Sequence, residues 1–317
     1  MLILPIKDRF GREITYLRIA INHICNFNCI YCHNEGEFSE FSTHGLTPEQ
    51  IRDVVSVAAH FGINKVKITG GEPLLRKDIV EIVKAINSVS GIKDISLVTN
   101  GSFLEQYAKP LKDAGLKRVN VSLSSPNQET YMRITRVKNP EIFHRVLRGI
   151  KKAKEVGLSP IKVNMVVLKD INEHQILDMI KLAKELNVIL QLIELQEIPI
   201  GNEFYKKHHT KFDEIEKYLD ANMERFEYRS MQHRKVVYLK DGTTVELVKP
   251  MHNSEFCKYC NKIRVTSTGE FKPCLMRYDN HVSFIQVFNN YNNPEKRIEE
   301  LKKLFLEAVN RRRPFFM

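Results

Sequence analysis

Cys25, Cys29 and Cys32 stand within one short stretch, ICNFNCIYCH, with the spacing Cys-x3-Cys-x2-Cys. Iron–sulfur clusters are held by cysteine thiolates, normally four for a cubane. Nothing close in sequence supplies the fourth. Three thiolates in a tight loop therefore point to a [4Fe–4S] cluster with one iron left open, and an open coordination position marks a chemically active metal rather than a structural one. Zinc is the competing reading, with His33 as a fourth ligand.

The chain holds six cysteines, and the other three are Cys257, Cys260 and Cys274. Two triads with no remainder suggest two clusters. Here too zinc competes, as a small knuckle completed by His252 or His281. Against it stands the basic pair Lys262 and Arg264, just after Cys260. Residues two apart in an extended segment point the same way, so both cations can aim into one cavity. Between the triads, Thr69-Gly70-Gly71-Glu72-Pro73 reads as a tight turn whose glycines permit close backbone approach.

These groups need positioning elements. Apolar strands are expected at residues 15–22, 65–69, 95–99, 118–123, 161–168 and 188–195. Amphipathic helices are expected between them, from Thr47 and Pro48 to Gly62, and at 78–89, 104–114, 140–156 and 173–186. Thr47 suits an N-cap and Pro48 a first turn. Continuous apolar strands separated by helices imply right-handed crossovers and a parallel sheet. Six such units make a partial, open (βα) barrel, or else a flat doubly wound sheet. In barrels of this kind the chemistry sits at the strand C-termini, and the first cysteine loop and the glycine turn both follow strands. After residue 200 the rhythm breaks into a helix at 213–221, a hairpin at 236–239 and 244–248, and a helix at 295–310. Residues 1–200 are thus expected to form the partial barrel, and residues 201–317 a smaller domain that closes its mouth around the second triad.

The 317 residues are 43% hydrophobic and 27% charged, ordinary for a globular protein. No apolar run approaches the roughly 20 residues that cross a bilayer. The first residues, MLILPIKDRFGREITY, are too short and too charged for a signal peptide, so a cytoplasmic location is expected. A net charge of +11 favours anionic partners.

The Cys-x3-Cys-x2-Cys stretch and the GGEP turn resemble the signature of the radical S-adenosylmethionine (SAM) superfamily. Cys257-x2-Cys260-Asn-Lys262-x-Arg264, with Cys274 after thirteen further intervening residues beyond Cys260, narrows the likeness to the GTP 3′,8-cyclase family. Tyr16-Leu17-Arg18, Val98-Thr99-Asn100-Gly101, Lys162-Val163-Asn164 and residues 201–209 (GNEFYKKHH) extend it along nearly the whole chain. The resemblance implies two [4Fe–4S] clusters and SAM, and a radical cyclisation of GTP that opens molybdenum cofactor biosynthesis. It places Tyr31, Gly71, Ser122 and Gln196 at SAM. It places Arg18, Lys67, Thr99, Lys162, Lys262 and Arg264 at GTP, with Lys262 and Arg264 also catalytic. Charge-assisted hydrogen bonds to a triphosphate are the strong ones. A lysine inside an apolar strand, as Lys67 and Lys162 are, is unfavourable unless its head reaches water or a counter-ion.

The resemblance further implies a ferredoxin- or flavodoxin-like reductant, a downstream cyclic pyranopterin monophosphate synthase, a possible homodimer, and neither nucleic acid nor membrane as partner. The chain departs from the family at four places. Lys262 stands where the family usually has Arg, replacing a bidentate fork by a point charge. Val98 stands where a second threonine is common, and Gln196 where a methionine is. Many members end in a Gly-Gly tail that reaches the active site; this chain ends Arg313-Pro314-Phe315-Phe316-Met317, which bears on the last step rather than the first. Two alternatives remain open: a radical SAM enzyme acting on a peptide or tetrapyrrole, and a zinc-stabilised basic protein that binds nucleic acid.

Overall fold

The computed structural model describes residues 5–37, 45–197 and 202–315. Gly201, Phe316 and Met317, used above, lie outside them. Six strands lie side by side in chain order, all parallel: β1 (Tyr16–Ala20), β2 (Lys65–Thr69), β3 (Asp94–Thr99), β4 (Arg118–Ser122), β5 (Ile161–Val167) and β6 (Ile189–Glu194). The connections carry α1 (Pro48–His60), α2 (Ile79–Asn87), α3 (Leu104–Ala114), α4 (Gln128–Thr135), α5 (Glu141–Glu155) and α6 (Ile176–Leu186). α1 starts where expected: Thr47 Oγ1 accepts from Gln50 N at 3.2 Å, while Gln50 Oε1 accepts from Thr47 N at 2.9 Å. The sequence pattern had suggested nothing over α4, whose cap is Asn127.

The strands differ from expectation in one respect: they alternate rather than running continuously apolar. Leu17, Ile19, Val66, Leu97, Val121 and Leu192 are buried in the layer shared with the helices. Tyr16, Arg18, Lys67, Asn120, Lys162 and Gln191 line an interior cavity on the other face. Successive side chains of a strand point to opposite faces, so the second face is free to be polar.

After β6 follow α7 (Asn202–His208), α8 (Asp213–Asn222), β7 (Met223–Tyr228), β8 (Lys235–Leu239) and β9 (Thr244–Val248). Then come α9 (Ser254–Lys258), β10 (Lys262–Val265), β11 (Glu270–Lys272), β12 (Val282–Ser283), α10 (Ile285–Asn290) and α11 (Pro294–Asn310). These strands extend both edges of the six-stranded core. β9 pairs in parallel with β6, and β10 in parallel with β1. The full order is β12-β11-β10-β1-β2-β3-β4-β5-β6-β9-β8-β7, and among the described residues its two end strands do not pair with each other. The barrel is open. No helix is long and apolar enough to cross a membrane.

α11 ties the late segment back to the first βα unit. Phe305 is fully buried, stacks on Phe61 at 5.4 Å between ring centroids, and meets Phe271 of β11 edge-on at 5.2 Å. Arg297 Nη2 lies 2.7 Å from Asp53 of α1. Phe305→Ala is expected to cost about 3–5 kcal/mol through the cavity it leaves. Leu306→Ala, one residue on and 40% exposed, should stay within about 0.5 kcal/mol. Urea titration of the two variants reads the difference.

Candidate active site

The first cysteine loop leaves β1 and is fastened to the end of α4. Asn28 N donates to Thr135 O at 3.2 Å and Ile30 N to Ile134 O at 3.0 Å. The glycine turn after β2 packs against the start of the same loop: Gly71 N donates to Asn22 O at 2.9 Å and Glu72 N to Ile24 O at 2.7 Å. A Cβ on Gly71 would stand 2.2 Å from the Ile24 carbonyl oxygen, so this approach requires glycine. Glu72 is buried and accepts from Thr99 Oγ1 at 2.6 Å, Asn100 N at 2.7 Å and Leu74 N at 3.0 Å. Burial lifts its carboxyl to about 7 against the pull of these donors.

Cys25, Cys29 and Cys32 line the cavity, and so do Cys257, Cys260 and Cys274. Burial raises the thiols of the first triad, and the neighbouring sulfurs raise Cys25 and Cys29 further. Burial raises Cys260 too, but the Arg312 and Lys262 cations outweigh it and leave that thiol lowered. Two arginines hold the backbone of the second triad from behind. Arg312 Nη2 donates to Cys260 O at 2.6 Å, and Arg12 Nη1 to Cys257 O at 3.0 Å. Among the described residues no three His, Cys, Asp or Glu converge as one metal ion would need. His281 is engaged elsewhere, with its ring nitrogens at Glu270 Oε2 and Arg277 O. Two triads of cavity-facing thiols, in a chain with no other cysteine, suit clusters that each keep one iron for a small ligand.

The remaining candidate residues face the same cavity: Arg18, Tyr31, Lys67, Gly71, Thr99, Ser122, Lys162, Gln196, Lys262 and Arg264. Tyr31 is hydrogen-bonded through its hydroxyl to Ser124 Oγ at 2.9 Å. Arg18 and Arg264 are adjacent in register across β1 and β10 and share one carboxylate, Glu35. Arg18 Nε donates to Glu35 Oε2 at 2.9 Å, and Arg264 Nη1 to the same oxygen at 2.7 Å. Burial would raise Glu35; the two guanidiniums outweigh it and hold the carboxyl well below the usual range. Lys162 is buried and pairs with Glu246 of β9. Burial pushes its amine down to about 8, with Glu246 pulling the other way.

Lys67 and Lys262 differ. Lys67 Nζ donates to Asn120 Oδ1 at 3.0 Å, and Lys262 Nζ to Gln232 Oε1 at 2.8 Å. Their partners are neutral amides. Burial, with other cations close by, presses both amines well below their ordinary value. A buried ammonium without an anion is costly, and a bound polyanion removes that cost.

Glu35, Arg229, Arg234 and Glu246 are among the residues of this site that escaped the sequence reading. Glu246 carried the signal that singled out Lys67 and Lys162, a charge inside an apolar strand (TVELV). Glu35 follows Cys32 by three residues in a polar loop. Arg229 and Arg234 lie in YRSMQHRK, which reads as an ordinary turn.

A model of the radical SAM superfamily matches residues 19–183, and one of molybdenum cofactor synthesis, C-terminal, matches residues 188–317. A probable GTP 3′,8-cyclase of Methanocaldococcus jannaschii is 43% identical over 310 residues, covering 98% of this chain and 99% of that one. One from Methanothermobacter thermautotrophicus is 42% identical over 313 residues, with 98% and 99% covered. Among solved structures, Streptococcus suis SuiB bound to S-adenosylmethionine superposes with a TM-score of 0.60 at 19% identity, over 83% of this chain and 60% of that one. Native anSMEcpe with bound AdoMet gives 0.57 at 19% identity, over 92% and 82%. At such identity these two speak for the fold. The sequence relatives go further, and with the two cysteine triads and the GGEP turn in one cavity, the chain belongs to the GTP 3′,8-cyclase family of the radical SAM superfamily.

Proposed function

We propose that the chain converts GTP to its 3′,8-cyclised product, the first step of molybdenum cofactor biosynthesis. The observation that carries this reading is the placement of both cysteine triads, with Lys67 and Lys262 uncompensated, in one cavity. Superfamily membership brings SAM and an iron–sulfur cluster; that there are two clusters is part of the proposal. Cys25, Cys29 and Cys32 would hold one, and Cys257, Cys260 and Cys274 the other.

A cluster held by Cys25, Cys29 and Cys32, with SAM beside it, would supply the deoxyadenosyl radical chemistry that removes hydrogen from C3′ of the ribose before that carbon joins C8 of guanine. The chain's own part is positioning. Gly71, its N–H held by Asn22 O, would bring its backbone up beside the first triad, with Tyr31, Ser122 and Gln196 around the same space. Arg18, Lys67 and Lys162 draw the triphosphate to one wall; Thr99, at the end of β3, is committed to Glu72 and steadies the turn. Lys262 and Arg264 lie between the second triad and that wall, where the guanine end would stand. Holding a substrate in near-attack geometry is worth several powers of ten in rate. Residues 1–200 then serve cofactor cleavage and hold the triphosphate through Arg18, Lys67 and Lys162, and residues 201–317 complete the substrate site with Lys262 and Arg264. A low-potential electron-transfer protein of ferredoxin or flavodoxin type would supply the electron for the cluster held by Cys25, Cys29 and Cys32, and the product would pass to cyclic pyranopterin monophosphate synthase.

Anaerobic reconstitution with SAM, dithionite and GTP deuterated at C3′ tests the assignment. Deuterium should appear in 5′-deoxyadenosine together with a cyclised nucleotide. 5′-Deoxyadenosine without deuterium would refute the substrate. A second expectation separates the clusters. Replacing Cys257, Cys260 and Cys274 together by alanine should lower bound iron from about eight to about four per chain. It should leave slow SAM cleavage in place while cyclisation is lost; unchanged iron content would argue against a second cluster.

A further inference from the structure

The turn joining β7 to β8, residues 229–234, crosses from one edge of the open sheet to the other. β7 and β8 lie beyond β9, yet Gln232 N donates to Tyr259 O at 2.8 Å and Gln232 Oε1 accepts from Lys262 Nζ at 2.8 Å, both on the β10 side. His233 is sandwiched between Tyr228 and Tyr259, at 4.2 and 4.9 Å between ring centroids. Gln232 and His233 both hold positive φ, 61° and 47°. Two consecutive non-glycine residues in that region are strained, and such strain persists where the surroundings enforce it, often at a ligand clamp.

What the strained turn delivers is a pair of guanidiniums. Arg234 Nη1 lies 2.9 Å from Glu246 Oε1, and Arg229 Nη1 donates to Glu246 Oε2 at 3.2 Å. Lys162 reaches the same carboxylate from β5, across the intervening β6. Three cations thus share one fully buried anion, leaving two charges uncompensated, and both arginines line the cavity. Lys67 and Lys262, which have only amide partners, add to the basic character of the same cavity.

Position decides which part of the ligand they meet. The first cysteine triad and Gly71 follow the C-terminal ends of β1 and β2, so the reacting ribose must face that end. Lys162 and Arg118 lie within the first two residues of β5 and β4, at the other end. Cys257 and Cys260 precede β10 at this same end, beside Gln232, whereas Glu246, which the two arginines grasp, stands on β9 at the other flank of the core. The far phosphate therefore belongs beside Lys162, Arg229 and Arg234.

We propose that Arg234, with Arg229 beside it, grips the terminal phosphate of the nucleotide, so that the β7–β8 turn distinguishes a nucleoside triphosphate from a diphosphate. This rests on the reading of the cavity as a GTP site. Glu246 is then a positioning residue, aiming the three cations before the ligand arrives.

The test is equilibrium dialysis of the reconstituted full-length enzyme against GTP and GDP at fixed ionic strength. The wild type should prefer GTP at least about tenfold, the worth of a charge-assisted pair. Arg234→Gln should weaken GTP roughly ten- to a hundredfold and leave GDP within about threefold, with Arg234→Lys in between because the charge survives without the fork. Arg229→Gln, at a side chain 36% exposed, should give a smaller loss of the same selective kind, which guards against an Arg234 variant that folds poorly; iron content and slow SAM cleavage report an intact fold. An unchanged GTP:GDP ratio in both variants, equal weakening of both nucleotides, or a wild type indifferent to the third phosphate overturns this inference while leaving GTP as substrate. A wild type that binds neither nucleotide overturns the GTP site itself, and this inference with it.

Discussion

Positive charge enclosed on the inner face of an open sheet is the constraint on which this molecule turns. Arg18, Lys67, Lys162, Lys262 and Arg264 all project inward from strands whose other faces are packed with leucine, isoleucine and valine. Ionised groups taken from water need partners. Glu35 and Glu246 supply two, and they do so at the two ends of the row, one bridging Arg18 to Arg264 and the other gathering Lys162 with Arg229 and Arg234. Lys67, on β2 between them, and Lys262, on β10, have only amides. The site is thus arranged and undercompensated at once, which is the state a polyanion binding site requires before its ligand arrives.

The same constraint explains why the C-terminal strands sit where they do. A six-stranded parallel sheet leaves its first and last strands as open edges. β10 covers the edge of β1 and brings Lys262 and Arg264 in register with Tyr16 and Arg18; β9 covers the edge of β6 and brings Glu246 beside Gln191. Each pairing closes an edge and adds a charged residue to the cavity in one move. The second cysteine triad is carried along, because Cys257 and Cys260 lead into β10 and Cys274 follows β11.

Much of this was legible in the residues. The six βα units announce themselves because each strand pairs with its neighbour in sequence and each helix has a local cap or apolar stripe, as Thr47 and the Ile51, Val54, Val55, Ala58 face show. Cysteine spacing and the GGEP turn marked the cofactor end for the same reason: their partners are close in the chain. β9 and β10 could not be read as edge strands, since their partners β6 and β1 lie far away in sequence and a four-residue stretch such as KIRV carries no local sign of pairing. Nor could the turn at 229–234, whose conformation is set by Tyr259, Lys262 and Glu246 rather than by its own residues. On the polar half of the strands the resemblance picked out Arg18, Lys67, Ser122 and Lys162 but not Asn120 or Gln191, because an interior polar face looks, in sequence, like an exposed one.

Glu35 joins the two halves of the chemistry. It lies three residues beyond Cys32, in the loop that would carry the first cluster, yet its oxygens orient the guanidiniums of Arg18 and Arg264. The residues after it continue the connection: Gly36 O accepts from Lys272 Nζ at 2.7 Å, and Glu37 accepts from Ser267 N at 3.0 Å. Lys272 stands two residues before Cys274. One short segment therefore fixes the first cysteine loop against the β10–β11 hairpin that bears part of the second triad. Radical transfer between a cofactor and a substrate demands that their separation be held to within a fraction of an ångström. Three consecutive residues, Glu35, Gly36 and Glu37, thus tie the first cysteine loop to Arg264, Lys272 and Ser267 far along the chain, so neither cysteine loop can shift without disturbing Arg18 and Arg264 between them.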